Sequence, residues 1–117
     1  MIDDEPFLCA TLRISLSERF EVCCAHDVSD ALRQLEDASP FAAVLCDVRL
    51  PGTSGLDLRT ALVARGAPIA DRFVFMTGGV TTAATALLLA EGGVPVLQKP
   101  FDVETLVATL EAVTAPE

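Results

Sequence analysis

Apolar positions recur along the chain with two different periods, and segments of the two kinds alternate. Residues 5–19 ("EPFLCATLRISLSER") set Leu8, Leu12 and Leu16 on one helical face, and Pro6 suits a first helical position. "FEVCCA" (20–25) is a short β-rich run. "VSDALRQLEDA" (28–38) predicts a helix with Ser29 as N-cap and Ala31, Leu32 and Leu35 turned inward. "FAAVLCD" (41–47) reads as a buried strand, followed by a helix from about Ser54 that Gly66 ends. "RFVFMTGG" (72–79) is a strand broken by Gly78-Gly79, and "TTAATALLLAEGG" (81–93) is helical with a Gly-Gly stop. "VPVLQKP" (94–100) is another strand. The last helix, "DVETLVATLEAV" (102–113), is capped by Asp102 and carries Leu106, Val107 and Leu110 inward.

Strands alternating with helices of this length predict βαβ units and an α/β fold, a parallel sheet covered on both faces. The 117 residues are read as one domain spanning 1–117, with no repeat or linker. The start is short: Met1 and Ile2 are the only apolar residues before Asp3-Asp4-Glu5, whereas strands usually run about five residues. Either a very short first strand suffices, or upstream residues complete it.

Composition narrows the class. An apolar share of 51% with 21% charged residues suits a globular domain. The net charge of −9 repels phosphate backbones, so direct nucleic-acid binding is not expected. No uninterrupted apolar run reaches the ~20 residues of a membrane span, and no secretory signal is visible, so a cytoplasmic protein without membrane contact is expected. Cys9, Cys23, Cys24 and Cys46 form no C-x-x-C pair, and Cys23 and Cys24 point to opposite faces of an extended segment. The expectation is buried free thiols in a reducing compartment.

In open parallel sheets, ligands bind at the carboxyl ends of the strands. Those ends carry Asp3-Asp4, Asp47, Thr77 and Lys99, which is the only lysine in the chain. Three carboxylates at one rim repel unless a divalent cation neutralises them, and hard oxygen ligands favour Mg²⁺. Mg²⁺ commonly shares its shell with phosphate oxygens, so a phosphoryl group is the natural guest, with a hydroxyl and an ammonium for its remaining oxygens. An aspartate beside that cation can be the nucleophile. Each residue also has an ordinary use: Asp3 and Asp4 as helix-start acids, Asp47 as a cap, Thr77 in a turn, Lys99 as a solvated surface charge. Their succession at consecutive strand ends favours the joint reading. His26, the sole histidine, is expected at the surface.

With "IDDEP", "VLCDVRLPGTSGLDL", "VFMTGG" and "LQKPFD" in this order, the sequence resembles the receiver domain of two-component response regulators over essentially its whole length. The resemblance implies a flavodoxin-like (βα)5 fold with strand order 2-1-3-4-5. It implies that Asp47 is the phosphoacceptor and that Asp4 is the direct acidic Mg²⁺ ligand with Asp3 beside it. The backbone carbonyl of Arg49 would supply another metal oxygen. Thr77 resembles the switch hydroxyl, Lys99 the ammonium that pairs with the phosphoryl group, and Pro100 a proline often preceded by a cis bond. The implied partner is a histidine kinase or a histidine phosphotransfer domain.

Three features depart from the family pattern. Val96 stands where receivers commonly carry Tyr or Phe, and the chain has no Tyr or Trp. Arg49 and Gly79 occupy the positions two beyond Asp47 and Thr77 and flank the phosphoryl site. The first strand is short. "MTGG" and "PVLQKPF" also resemble receivers at the ends of hybrid histidine kinases. Two rival readings keep the fold. One is a protein-binding module that is not phosphorylated. The other is an Mg²⁺-dependent phosphatase, disfavoured because Arg49 stands where a second acid is wanted.

Overall fold

The computed structural model describes residues 1–37, 41–50, 52–78, 87 and 93–114. The expected helix over 81–93 lies outside the described residues apart from Leu87 and Gly93, as do Gly79 and Pro51.

Three parallel strands form the centre of the sheet: β1 (Val44–Asp47), β4 (Phe73–Thr77) and β5 (Val96–Gln98). Between them in the chain, β2 (Arg49–Leu50) and β3 (Thr53–Ser54) make a separate antiparallel pair. β1 aligns Asp47 with Met76, and β4 aligns Thr77 with Gln98. Asp47, Thr77 and Lys99 therefore leave the sheet at one rim.

The N-terminal segment enters the sheet beside β1. Ile2 bridges Ala25 on one side and Cys46 on the other, both in parallel sense. Its backbone nitrogen donates to the Leu45 carbonyl at 2.7 Å and its carbonyl accepts from Asp47 at 2.9 Å. Across the described residues the line runs Ala25, Ile2, β1, β4, β5. The expected strand over 20–25 is corrected to a single bridge at Ala25. Ala25 carries the pairing: its nitrogen donates to the Met1 carbonyl at 2.9 Å and its carbonyl accepts from the Asp3 nitrogen at 3.0 Å. The α-ammonium of Met1 donates to the Cys23 carbonyl at 2.7 Å, and burial pulls its pKa below the usual value.

The central strands are buried on both faces, as their unbroken apolar sequence requires. Alternate residues feed two cores. Val44, Cys46, Phe73 and Phe75 join Ile2 and Ala31 with Leu58 and Leu62 of α3 (Gly55–Ala64). Leu45, Val74, Met76 and Leu97 meet Leu12 and Leu16 from α1 (Pro6–Ser15) and its following turn, and Leu106 and Leu110 of α4 (Val103–Thr114). α2 (Val28–Asp37) packs Leu32 and Leu35 against the first core. Among the described residues, helices thus cover both faces, which is the doubly wound arrangement.

Local chemistry sets the helix starts. Pro6 opens α1, and the Ser54 hydroxyl accepts from the Asp57 backbone nitrogen at 3.1 Å to cap α3. Asp102 caps α4 by accepting from the Thr105 nitrogen at 2.7 Å. The expected cap of α2 is corrected from Ser29 to Asp27, whose Oδ1 accepts from Asp30 nitrogen at 2.8 Å. A carboxylate at the positive end of the helix outcompetes a hydroxyl inside its first turn. A 3₁₀ helix, Pro68–Arg72, fills the connection from α3 to β4.

The cysteines also differ from expectation. Cys9, on the buried face of α1, and Cys24 are joined as a disulfide with their Cα atoms 6.4 Å apart. Alternation along 23–25 is the physical reason: it turns Cys24, and not its neighbour, toward α1. Cys23 is free and exposed, and Cys46 is free and fully buried.

Candidate functional site

Three carboxylates converge at the rim. Asp3, Asp4 and Asp47 each offer an oxygen, and these oxygens lie within 4.8 Å of one another. Asp3 follows the Ile2 bridge and Asp47 is the last residue of β1, so two neighbouring strands deliver them side by side. The Asp3 side chain is fully buried and that of Asp47 is 11% exposed, whereas Asp4 is exposed. Burial of two charges demands partners. Asp3 Oδ1 accepts from Glu5 backbone nitrogen at 2.8 Å, and Asp47 Oδ1 accepts from Arg49 backbone nitrogen at 3.0 Å.

The other two oxygens meet Lys99. Its Nζ donates to Asp47 Oδ2 at 2.8 Å and to Asp3 Oδ2 at 3.0 Å. Burial of the ammonium lowers its pKa, but the hydrogen bonds and charges of Asp47 and Asp3 outweigh that, and the net shift is upward from 10.5. Lys99 reaches this position because β5 ends one residue earlier, and its backbone nitrogen donates to the Thr77 carbonyl at 2.7 Å. The Lys99–Pro100 peptide bond is cis. Thr77 is the half-buried last residue of β4, at the same rim.

Above these groups opens a cleft of about 380 Å³ lined by Asp4, Asp47, Arg49, Gly78 and Lys99 among others. Three carboxylates against one ammonium leave two negative charges, which one divalent cation balances. The oxygen donors are hard and the cleft leaves room for retained waters, so the residues fit Mg²⁺. Asp3, Asp4, Asp47 and Lys99 are brought together as the sequence predicted, Thr77 shares their rim, and Arg49 lines the cleft. Val96 sits at the start of β5 and is 38% exposed.

Two contributors escaped the sequence reading. A Cβ at Gly55 would collide with the Asp47 carbonyl oxygen and stand 2.8 Å from Cys46 Sγ, so only glycine lets α3 start beneath the rim. The second glycine of "PGTSG" was its only signal. His26 is exposed as expected, but its Nδ1 lies 2.9 Å from the Asp3 carbonyl oxygen, a contact that no local pattern announces.

Known proteins resemble the chain in sequence and in fold. The chain is 35% identical over 114 residues to the DNA-binding response regulator MtrA of Mycolicibacterium smegmatis, covering 96% of this chain and 48% of that protein. The chain spans about half the length of the first curated relatives it matches. Among solved structures, a response regulator receiver protein from Pseudomonas putida superposes with a TM-score of 0.84 at 22% identity, covering 95% of this chain and 92% of that one. The non-phosphorylated HemR receiver domain from Leptospira biflexa gives 0.80 at 28% identity, covering 99% and 92%. Residues 1–111 match the family model of the response regulator receiver domain, and the chain belongs to that family.

Proposed function

We propose that the chain is a phosphoacceptor in two-component signalling, with Asp47 taking a phosphoryl group from the phosphohistidine of a histidine kinase or phosphotransfer domain. The observation that carries this reading is the convergence of Asp3, Asp4, Asp47 and Lys99 at one strand-end rim, open to a cleft.

A carboxylate oxygen of Asp47 attacks phosphorus, the phosphorus–nitrogen bond breaks, and the departing imidazole takes up a proton. Both Asp47 oxygens already accept one hydrogen bond, yet each retains a second lone pair. The Arg49 backbone N–H and the Lys99 ammonium hold the carboxylate in place for attack. Lys99 has three donors, so it can keep Asp3 and turn one N–H toward the incoming phosphoryl oxygens. Thr77, at the end of the adjacent strand, supplies a hydroxyl for another of those oxygens. Asp3, Asp4, Asp47 and the Arg49 carbonyl would hold Mg²⁺, which when bound neutralises the acidic rim and the transferred group. The switch that the resemblance implies, in the loop after Thr77 and the helix beginning near Thr82, falls beyond Gly78 outside the described residues. A cytoplasmic setting fits that role. Among the described residues no helix is long and apolar enough to cross a membrane.

Incubation with Mg²⁺ and acetyl phosphate, followed by intact mass, tests the proposal. One added phosphoryl group is expected on the parent chain and none on Asp47→Asn. An adduct that survives in the variant, or no adduct on folded parent protein, would reject Asp47 as the acceptor.

A further inference from the structure

Cys9 and Cys24 lie on the two strips of chain that hold the acidic rim. Cys9 is the fourth residue of α1, and its backbone nitrogen donates to the Glu5 carbonyl at 3.3 Å. Cys24 precedes Ala25, whose carbonyl accepts from Asp3 nitrogen at 3.0 Å, and His26, whose ring touches the Asp3 carbonyl. The chain between Cys24 and His26 and the chain between Asp3 and Cys9 therefore bracket the backbone of Asp3, beside Asp4. A bond between Cys9 and Cys24 closes that bracket.

We propose that Cys9 and Cys24 are a reversible thiol–disulfide exchange site, taking a small-molecule disulfide of the glutathione class, whose closure tightens cation binding at Asp3, Asp4 and Asp47. The coupling, and the expectation that the bond is reversible, rest on the phosphoacceptor reading; the pairing of Cys9 with Cys24 does not.

Three observations support it. The Cα separation of 6.4 Å in the bonded pair lies inside the range a disulfide spans. The remaining thiols are distinguishable: Cys46 is free but fully buried, out of reach of a small disulfide, and Cys23 is free and exposed. Finally, phosphoryl relay belongs to a compartment where thiols are kept reduced, and disulfides that do form there are usually transient and regulatory.

The chemistry balances. The half-buried Cys24 thiolate attacks one sulfur of the small disulfide, forming a mixed disulfide and expelling one thiolate. The Cys9 thiolate then attacks Cys24 Sγ, the Cys9–Cys24 bond forms, and the second small thiolate leaves. The protons given up by the two cysteines end on the two expelled thiolates. Two protein thiols are oxidised and one small disulfide is reduced; excess reduced thiol runs the sequence backward. With the bond closed, the start of α1 and the Cys24–His26 strip are held together, so the carboxylates are positioned before the cation arrives.

The test has two parts. The chain is equilibrated in buffers of graded reduced-to-oxidised glutathione ratio, alkylated, and mapped by peptide mass. A Cys9–Cys24 crosslink that appears and disappears with the ratio, unchanged in Cys23→Ser, is the expected result. Four alkylated cysteines at every ratio, or a crosslink through Cys23, would overturn the exchange site. Mg²⁺ is then titrated by calorimetry into the crosslinked, reduced and Cys9→Ser/Cys24→Ser forms, since no Trp or Tyr offers a fluorescence signal. Binding about fivefold weaker in the open forms is expected, at the low end of typical site-to-site coupling. Equal affinity in the three forms would overturn the coupling alone. No binding in any form would overturn the coupling together with the cation site, leaving the mapped crosslink to be judged by its mass.

Discussion

Lys99 lies 2.8 Å from Asp47, and the same ammonium is 3.0 Å from Asp3, so one side chain compensates two buried carboxylates. That arrangement ties residue 99 to the first residues of the chain across the sheet rim. Lys99→Met keeps the aliphatic stem and removes the charge, leaving Asp3 fully buried and Asp47 nearly so. Breaking a buried pair by removing one partner costs about 3–5 kcal/mol, and the 20% exposure of the lysine side chain places this case near 3. Urea unfolding of the variant should show that loss, and added Mg²⁺ should restore more stability to it than to the parent. A loss below about 1 kcal/mol would mean that the carboxylates are compensated from elsewhere.

Gly55 tests whether the backbone beneath Asp47 is itself part of the site. A methyl group there meets the Asp47 carbonyl and the Cys46 sulfur, and the carbonyl cannot yield without moving β1. Overpacking of this kind costs about 1–3 kcal/mol. Gly55→Ala is expected to lose about 2 kcal/mol of stability and to take up phosphoryl from acetyl phosphate more slowly than the parent. Gly66 provides the comparison: its φ of +70° penalises alanine by about 1–2 kcal/mol, yet no atom lies within 4 Å of an added Cβ. Gly66→Ala should be similarly destabilised with an unchanged phosphorylation rate. Equal slowing in both variants would show that global stability, and not the seat of Asp47, controls the reaction.

Much of this is legible in the sequence itself. "VLCD" and "FVFM" are short, apolar and turn-bounded, so their burial on both faces follows from composition alone, and the rim residues follow from where those runs stop. Asp102 and Pro6 are local signals and act locally. What stayed hidden depends on contacts between segments far apart in sequence. The second strand is a single bridge at Ala25, held by its bonds to Met1 and Asp3, which "FEVCCA" cannot reveal. Ser29 lost the cap of α2 to Asp27 by a choice between two good acceptors two residues apart. The Cys9–Cys24 pairing depends on how α1 lies on the sheet. The double partnership of Lys99 likewise needs the fold, since its own pattern allowed a solvated side chain equally well.

The two free cysteines should behave as different reagents. Cys46 is fully buried, its Sγ donates to the Asp47 carbonyl at 3.3 Å, and burial, reinforced by the Asp47 charge, raises its pKa from 9.0 to about 12. At pH 8 that leaves about a thousandfold less thiolate than an ordinary cysteine carries. Iodoacetamide should therefore label Cys23 readily in the native crosslinked protein and reach Cys46 only in denaturant. Labelling of Cys46 at the Cys23 rate would mean that β1 opens far more often than its burial implies.

Asp102 gives a pH dependence with a definite sign. Hydrogen bonds from Thr105 hold its pKa below 3.8, because the ionised carboxylate is the better acceptor at the start of α4. The unfolded chain binds the proton more tightly than the folded one. The cap therefore contributes its full stabilisation above 3.8 and loses it as pH falls through the folded value. Asp102→Asn keeps an oxygen for the Thr105 N–H but cannot titrate. Melting temperatures measured from pH 5 down to 2 should fall more steeply in the parent than in the variant, with the gap between them closing below the folded pKa. Every other acid is common to the two proteins, so the difference isolates Asp102. Parallel curves would mean that the cap makes no use of its charge. The position matters for function as well: α4 begins four residues beyond Lys99 and buries Leu106 completely, so the cap helps fix where the lysine leaves the sheet.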